Sequence, residues 1–475
     1  MSNGSLTATI VLDKPDHVHC GSHDPVTGNV CLRYRPPPLA SADAAASSSS
    51  TELFGPLRVT IRLHGRAKTK IKRDKEYDRG RVPLFSMARL VYDGPLRLAA
   101  GAVRLVPFAV RFPDTVAPTA AQVQAFPRCF DARDARFDTA PDQPLPPAMS
   151  TAYHGFTQTF ECFVEYRLGA AVAMPGMHVS VHCPRDEDGP LIAYDRALPP
   201  PLALTTTAFG SSGGIDPRPH RLGGTIRVQS KHLLPEADRP RGFRAKTKAA
   251  LNPTAYYPVA VFGWSCAVPT QVCRDENATV PITVRAWPRF EESTAASAAA
   301  AAGGGDAKMA AMPEVRLLRC AVRVTAHTRA RAEIHFVSCH DAEGHEDVAF
   351  WSSRPDPTPF READGWTKTL GSVTLGRRVP SSFRTVNIAR YYRMHVGLAF
   401  ALPGGETRDF KDVFSLDVLP PLARAQTEAQ APPLAPAVAE DPMPMYTAAL
   451  AAEDPISPPA YEEVAKPPKY TAAPT

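Results

Sequence analysis

His17, His19, Cys20 and His23 fall within seven residues, and side chains of these types are what a divalent cation takes as ligands. In an extended strand, however, His17 and His19 share one face while Cys20 takes the other, so the segment reads as ordinary strand and turn residues without a metal. His335 to His340 reads the same way. The chain has no Gly-x-x-x-x-Gly-Lys phosphate loop, no Gly-x-Ser-x-Gly turn and no His-Glu-x-x-His segment, and its carboxylates are scattered. No catalytic residue, metal or cofactor is expected, and the chain is not expected to be an enzyme.

Recognition chemistry is more legible near the end of the chain. Pro458-Pro459-Ala460-Tyr461 is followed by Pro467-Pro468-Lys469-Tyr470, two copies of a Pro-Pro-x-Tyr peptide. With 50 Pro and 13 Tyr in 475 residues, chance supplies about 0.14 such matches. Adjacent prolines preset a polyproline II backbone. Pro458 and Pro459, or Pro467 and Pro468, can then stack in an aromatic groove while Tyr461 or Tyr470 fills the next pocket. That is the ligand chemistry of WW domains. Only Glu462 to Lys466 separate the copies, a reach of about 20 Å, so the pair is expected to act by rebinding rather than as a bivalent clamp. Met443-Pro444-Met445-Tyr446 is a degenerate third copy.

The net charge of +6 divides unevenly: residues 425–475 carry −5 and the rest of the chain +11. A basic body favours acidic partners, and two runs concentrate its charge. In Arg66 to Arg81, Lys68, Lys70 and Lys72 share a face, with Arg73 next to them. In Arg239 to Lys248 the cations include Arg241, Arg244, Lys246 and Lys248. Both runs are candidate contacts for an acidic partner or an anionic membrane surface. Nucleic acid is not expected, because no zinc-finger, RNA-binding or helix-turn-helix pattern occurs. The nine cysteines stand singly with no Cys-x-x-Cys, as in a reduced cytosolic protein. No run of eighteen strongly apolar residues is found, and the first residues lack a basic flank. A soluble, cytoplasmic protein is expected.

The elements that must position these residues alternate with period two. Leu57, Val59, Ile61 and Leu63 oppose Arg58, Thr60, Arg62 and His64. Phe160, Cys162, Val164, Tyr166 and Leu168 oppose Glu161, Glu165 and Arg167. Leu318, Cys320, Val322 and Val324 form a third apolar face, and Tyr392, Met394, Val396, Leu398 and Phe400 a fourth. Prolines are spread at spacings that suit strand edges and turns and would break helices. The class is therefore all-β, with antiparallel strands in two sandwiches. Pro36 to Ser50 and Thr294 to Ala311 read as mobile loops, and the composition after Leu422 as a disordered tail.

Gly21, Asp24, Val26, Gly28 and Val30 mark a turn and strand that resemble the start of an arrestin N-domain. Gly101-Ala-Val-Arg-Leu-Val-Pro-Phe-Ala-Val-Arg-Phe-Pro113 resembles that family's long strand with its glycine, Pro-Phe and closing proline. Val386-Asn-Ile-Ala-Arg-Tyr-Tyr392, followed by Met394 to Phe400, Gly404-Gly405 and Phe414 to Leu419, resembles the last strands of an arrestin C-domain. Body and tail together resemble the fungal type of α-arrestin. The resemblance implies two arrestin-like, immunoglobulin-like antiparallel β-sandwich domains, at residues 5–200 and 255–422. Residues 201–254 would connect them, and 423–475 would form a disordered, acidic, Pro-rich tail. It also implies an adaptor: the body binds an integral membrane transporter or receptor, and the tail recruits a WW-domain HECT-type ubiquitin ligase. Cargo ubiquitination and endocytosis would follow, with the cytoplasmic adaptor recruited to plasma membrane or endosomes. Two rival readings are a scaffold in ambient-pH signalling and a retromer-like sorting or coat subunit.

Overall fold

The computed structural model describes residues 4–36, 52–117, 134–138, 140, 142–155, 158–175, 180–185, 188–197, 219–234, 236–274, 278–295, 312–334, 338–353, 366–376 and 379–421. The chain divides into two units, Met1–Arg424 and Ala425–Thr475. All described residues belong to the first. The connector residues 201–218, the tail and nearly all of both loops read as mobile lie outside them.

Described structure is mostly β. In the first half of the sequence the strands are β1 (Ser5–Leu12), β2 (Val18–Cys20), β3 (Val26–Arg35), β4 (Glu52–Arg73), β5 (Glu76–Ala99), β6 (Val103–Val110), β7 (Met149–His154), β8 (Thr159–Ala173), β9 (Ser180–His182) and β10 (Ala193–Asp195). One sheet runs β6-β3-β1-β9, and a second contains β5-β4-β8-β7. The period-two pattern explains their pairing. Alternate residues of β4 from Leu53 to Ile71 are buried, as are Phe160, Cys162, Val164, Tyr166 and Leu168 of β8. These side chains pack with Leu6, Val30, Leu32 and Phe108 into one apolar cluster.

The second half contains β11 (His220–Gln229), β12 (Val259–Val268), β13 (Gln271–Cys273), β14 (Thr279–Pro288), β15 (Arg316–Ile334), β16 (Ser338–Ser353), β17 (Trp366–Thr374), β18 (Phe383–Arg384), β19 (Ile388–Ala401) and β20 (Thr407–Leu419). The sheet β11-β12-β14-β17 and the strands β13-β20-β19-β15 enclose a separate cluster of Phe262, Trp264, Val284, Val322, Tyr392 and Phe400. Two sequence expectations need correction. β11 lies within the segment read as a connector, yet it pairs with β12 from His220↔Val268 to Gln229↔Val259, so the second sandwich starts by His220. Gly223 and Gly224 interrupt its alternation, leaving Ile226 and Val228 as its buried residues. Leu318 does not face the core. The β15–β19 register shifts between Leu317 and Arg319, and Leu317 takes the inward position.

The halves share one ten-stranded sheet. β19 leaves β15 at Ala330↔Ile388, and β5 then meets β15 at Glu333↔Arg79. Between β11 and β12 the chain forms two helices, α1 (Phe243–Leu251) and α2 (Pro253–Tyr256).

Candidate functional site

Lys68, Lys70 and Lys72 lie on one face of β4, alternating with buried Ala67, Thr69 and Ile71. Carboxylates of neighbouring β8 meet two of them. Lys68 Nζ is 3.2 Å from Glu165 and Lys70 Nζ 3.4 Å from Glu161, and Lys70 also sits 4.3 Å over the Tyr77 ring. Burial pushes the Glu165 carboxyl up, but Lys68, Arg66 and Arg167 outweigh it and hold the group below its ordinary value. Much of this charge is therefore spent within the sheet, while Lys72 remains exposed. Arg73 ends β4, its backbone in register with that of Glu76 across a tight turn in which Asp74 has φ of 52°.

The second basic run belongs to the other sandwich. Arg241 precedes α1, and Arg244, Lys246 and Lys248 project from it, all exposed. The stretch is poor in period-two alternation, which is why the sequence implies a connector there. A local signal was nonetheless present: Ala, Lys, Arg and Leu favour helix, with Gly242 before the segment and Asn252-Pro253 after it.

His17 and His19 converge, as the strand geometry requires, but their companion is Asp24 rather than Cys20. His17 Nε2 lies 2.7 Å from Asp24 Oδ2, the Cys20 N–H donates to the same oxygen at 3.0 Å, and His19 Nδ1 is 3.8 Å from Oδ1. Cys20 Sγ turns to the Val18 carbonyl. Burial raises the Asp24 carboxyl, yet its contacts with His19, the Cys20 amide and His17 win and lower it to about 2. These three side chains offer donors close enough for one divalent cation. The contact with His17 and the Cys20 amide already give the carboxylate hydrogen-bond partners.

Where the halves meet, charge is buried in pairs. Asp195, fully buried on β10, is bound by Arg274 and accepts from Ser381 Oγ at 3.1 Å. Arg331, 4% exposed, pairs with Asp134 and donates to Asp341 at 3.0 Å; Arg136 joins both carboxylates at 2.8 and 2.6 Å. Its hydrogen bonds hold the Asp134 carboxyl far below its ordinary value. Asn387 Nδ2 donates to the Ala67 carbonyl at 3.3 Å. Sequence reasoning missed this group because its members come from distant positions and match no motif.

Both Pro-Pro-x-Tyr copies, with Pro458, Pro459, Tyr461, Pro467, Pro468 and Tyr470, lie outside the described residues. Among the described residues no helix is long and apolar enough to cross a membrane. The chain matches no protein-family model and no curated protein.

Proposed function

We propose that this chain is an arrestin-type adaptor. Its two-sandwich body engages an integral membrane protein, and its tail brings a WW-domain HECT-type ubiquitin ligase to that cargo. The observation that carries the reading is the paired Pro-Pro-x-Tyr motif, two copies where composition supplies about 0.14. Two β-sandwiches with separate cores, joined through a common sheet and buried ion pairs, are compatible with an arrestin body and support the reading at the level of architecture.

Calorimetric titration of the full chain with WW domains of a HECT ligase tests it. Tyr461→Ala and Tyr470→Ala should each weaken binding, and the double variant should lose at least about tenfold, because each tyrosine is the buried anchor of its motif. A wild-type chain that binds no WW domain would remove the basis for the ligase role.

A further inference from the structure

Phe243 and Leu251 are 85% and 82% exposed, the two most exposed large apolar side chains among the described residues, and both lie on α1. At about 100° of rotation per residue, positions 243, 247 and 251 form one stripe. That stripe is Phe243, Thr247 and Leu251. Ala249, the buried residue of the helix, lies roughly opposite and seats α1 on the protein. Lys246 flanks the stripe on one side, and Arg244 and Lys248 on the other. The helix thus turns an apolar centre with a cationic rim toward solvent.

We propose that α1 is a membrane-docking helix that lies in the interface of an anionic bilayer. Phe243 and Leu251 enter the boundary between headgroups and acyl chains, while Arg244, Lys246 and Lys248 bury their stems and keep their charges at the phosphates. Thr247 does not oppose this burial, because its Oγ1 donates to the Phe243 carbonyl at 2.9 Å and needs no water. From Arg239 through Tyr257 the sequence contains Arg239, Arg241, Arg244, Lys246 and Lys248 and no acid. The first turn has neither an acidic residue nor a side-chain cap, so the positive end of the helix adds to the same field. Gly242, at φ of 80°, brings the chain into the helix across open space: a Cβ placed there would meet nothing within 4 Å.

Charge also argues for lipid over a second copy of the chain. A twofold contact through this face would set Arg244, Lys246 and Lys248 against their own equivalents without a compensating carboxylate on the helix. Lipid docking does not require the tail to bind a ligase, so each idea stands or falls alone.

The test is co-sedimentation of the full chain with vesicles of phosphatidylserine and phosphatidylcholine, compared with phosphatidylcholine alone. Binding should need the anionic lipid, weaken with salt, and fall at least about tenfold both in Phe243→Ser/Leu251→Ser and in Arg244→Glu/Lys246→Glu/Lys248→Glu. All five positions are exposed, so melting temperatures should stay at the wild-type value. Phe243→Trp gives a readout independent of loss: its emission should shift to the blue on anionic vesicles. Four results would overturn the proposal: no binding, equal binding to neutral vesicles, binding indifferent to the serine pair, or a wild-type dimer without lipid that the serine pair makes monomeric.

Discussion

Asp24 gathers a histidine from just outside β2, a second histidine from within it and a backbone amide, and its stability contribution has a definite sign. Its folded value of about 2 lies below the ordinary 3.8. A lowered carboxylate stabilises the fold above its unfolded value and loses that contribution as pH falls through the folded one. Asp24→Asn should therefore be less stable than wild type at pH 5, and the gap should narrow steadily toward pH 2.5. Urea midpoints of the two proteins across that range provide the measurement; a gap that stays constant would mean that the His17–Asp24 pair adds nothing to pH dependence. The same residue marks what spacing alone could show. The shared face of His17 and His19 follows from alternation, whereas the return of Asp24 onto that face depends on the turn into β3.

At the scale of elements, close strand approach depends on single atoms. In β3, Gly28 lies opposite Leu12 of β1 and Phe108 of β6, and a Cβ there would come within 2.3 Å of the Val11 carbonyl oxygen and 2.9 Å of the Phe108 ring. The first of these is backbone and cannot rotate away. Gly397 in β19 is the contrast, since a Cβ there meets only the Ala321 carbonyl at 3.9 Å. Gly28→Ala should cost about 1–3 kcal/mol, while Gly397→Ala should stay within about 0.5 kcal/mol of wild type, read from denaturant midpoints at constant slope. Equal effects would show that strand propensity, rather than the Val11 contact, decides. Long alternating strands were legible in the sequence because one face of each is buried: Leu57 to Leu63, Phe160 to Leu168 and Tyr392 to Phe400 all point inward as read. Leu318 was not, because a bulge has no compositional signature. β11 was hidden by its paired glycines, and α1 by burying only Ala249. The neutralisation of Lys68 and Lys70 by Glu165 and Glu161 depends on the β4–β8 register, which one sequence does not specify.

Over the whole of the first unit, each half completes the other. Ala330, Ala332, Phe383, Val386 and Ile388 come from the second half of the sequence yet belong to the first apolar cluster. Across the same junction, Asp195 meets Arg274 and Ser381, and Arg331 meets Asp134. Neither half can unfold without exposing apolar surface of the other, and loss of the second half would also leave buried Asp195 without its counterion, an outcome more costly than the pair itself is stabilising. Calorimetry of the intact chain should therefore show one cooperative transition for both sandwiches. Arg331→Ala leaves Asp134 and Asp341 with Arg136 as their shared cation and opens a gap beside Phe137, whose ring lies 4.1 Å from the Arg331 guanidinium carbon. Such a loss should cost about 1–3 kcal/mol, because both carboxylates are part-exposed and keep a cation, and, because it acts at the junction, it should split or broaden the transition rather than only lower its midpoint. Two resolved transitions in the wild type would instead mean that the shared sheet and the buried pairs join the sandwiches mechanically without coupling their stabilities.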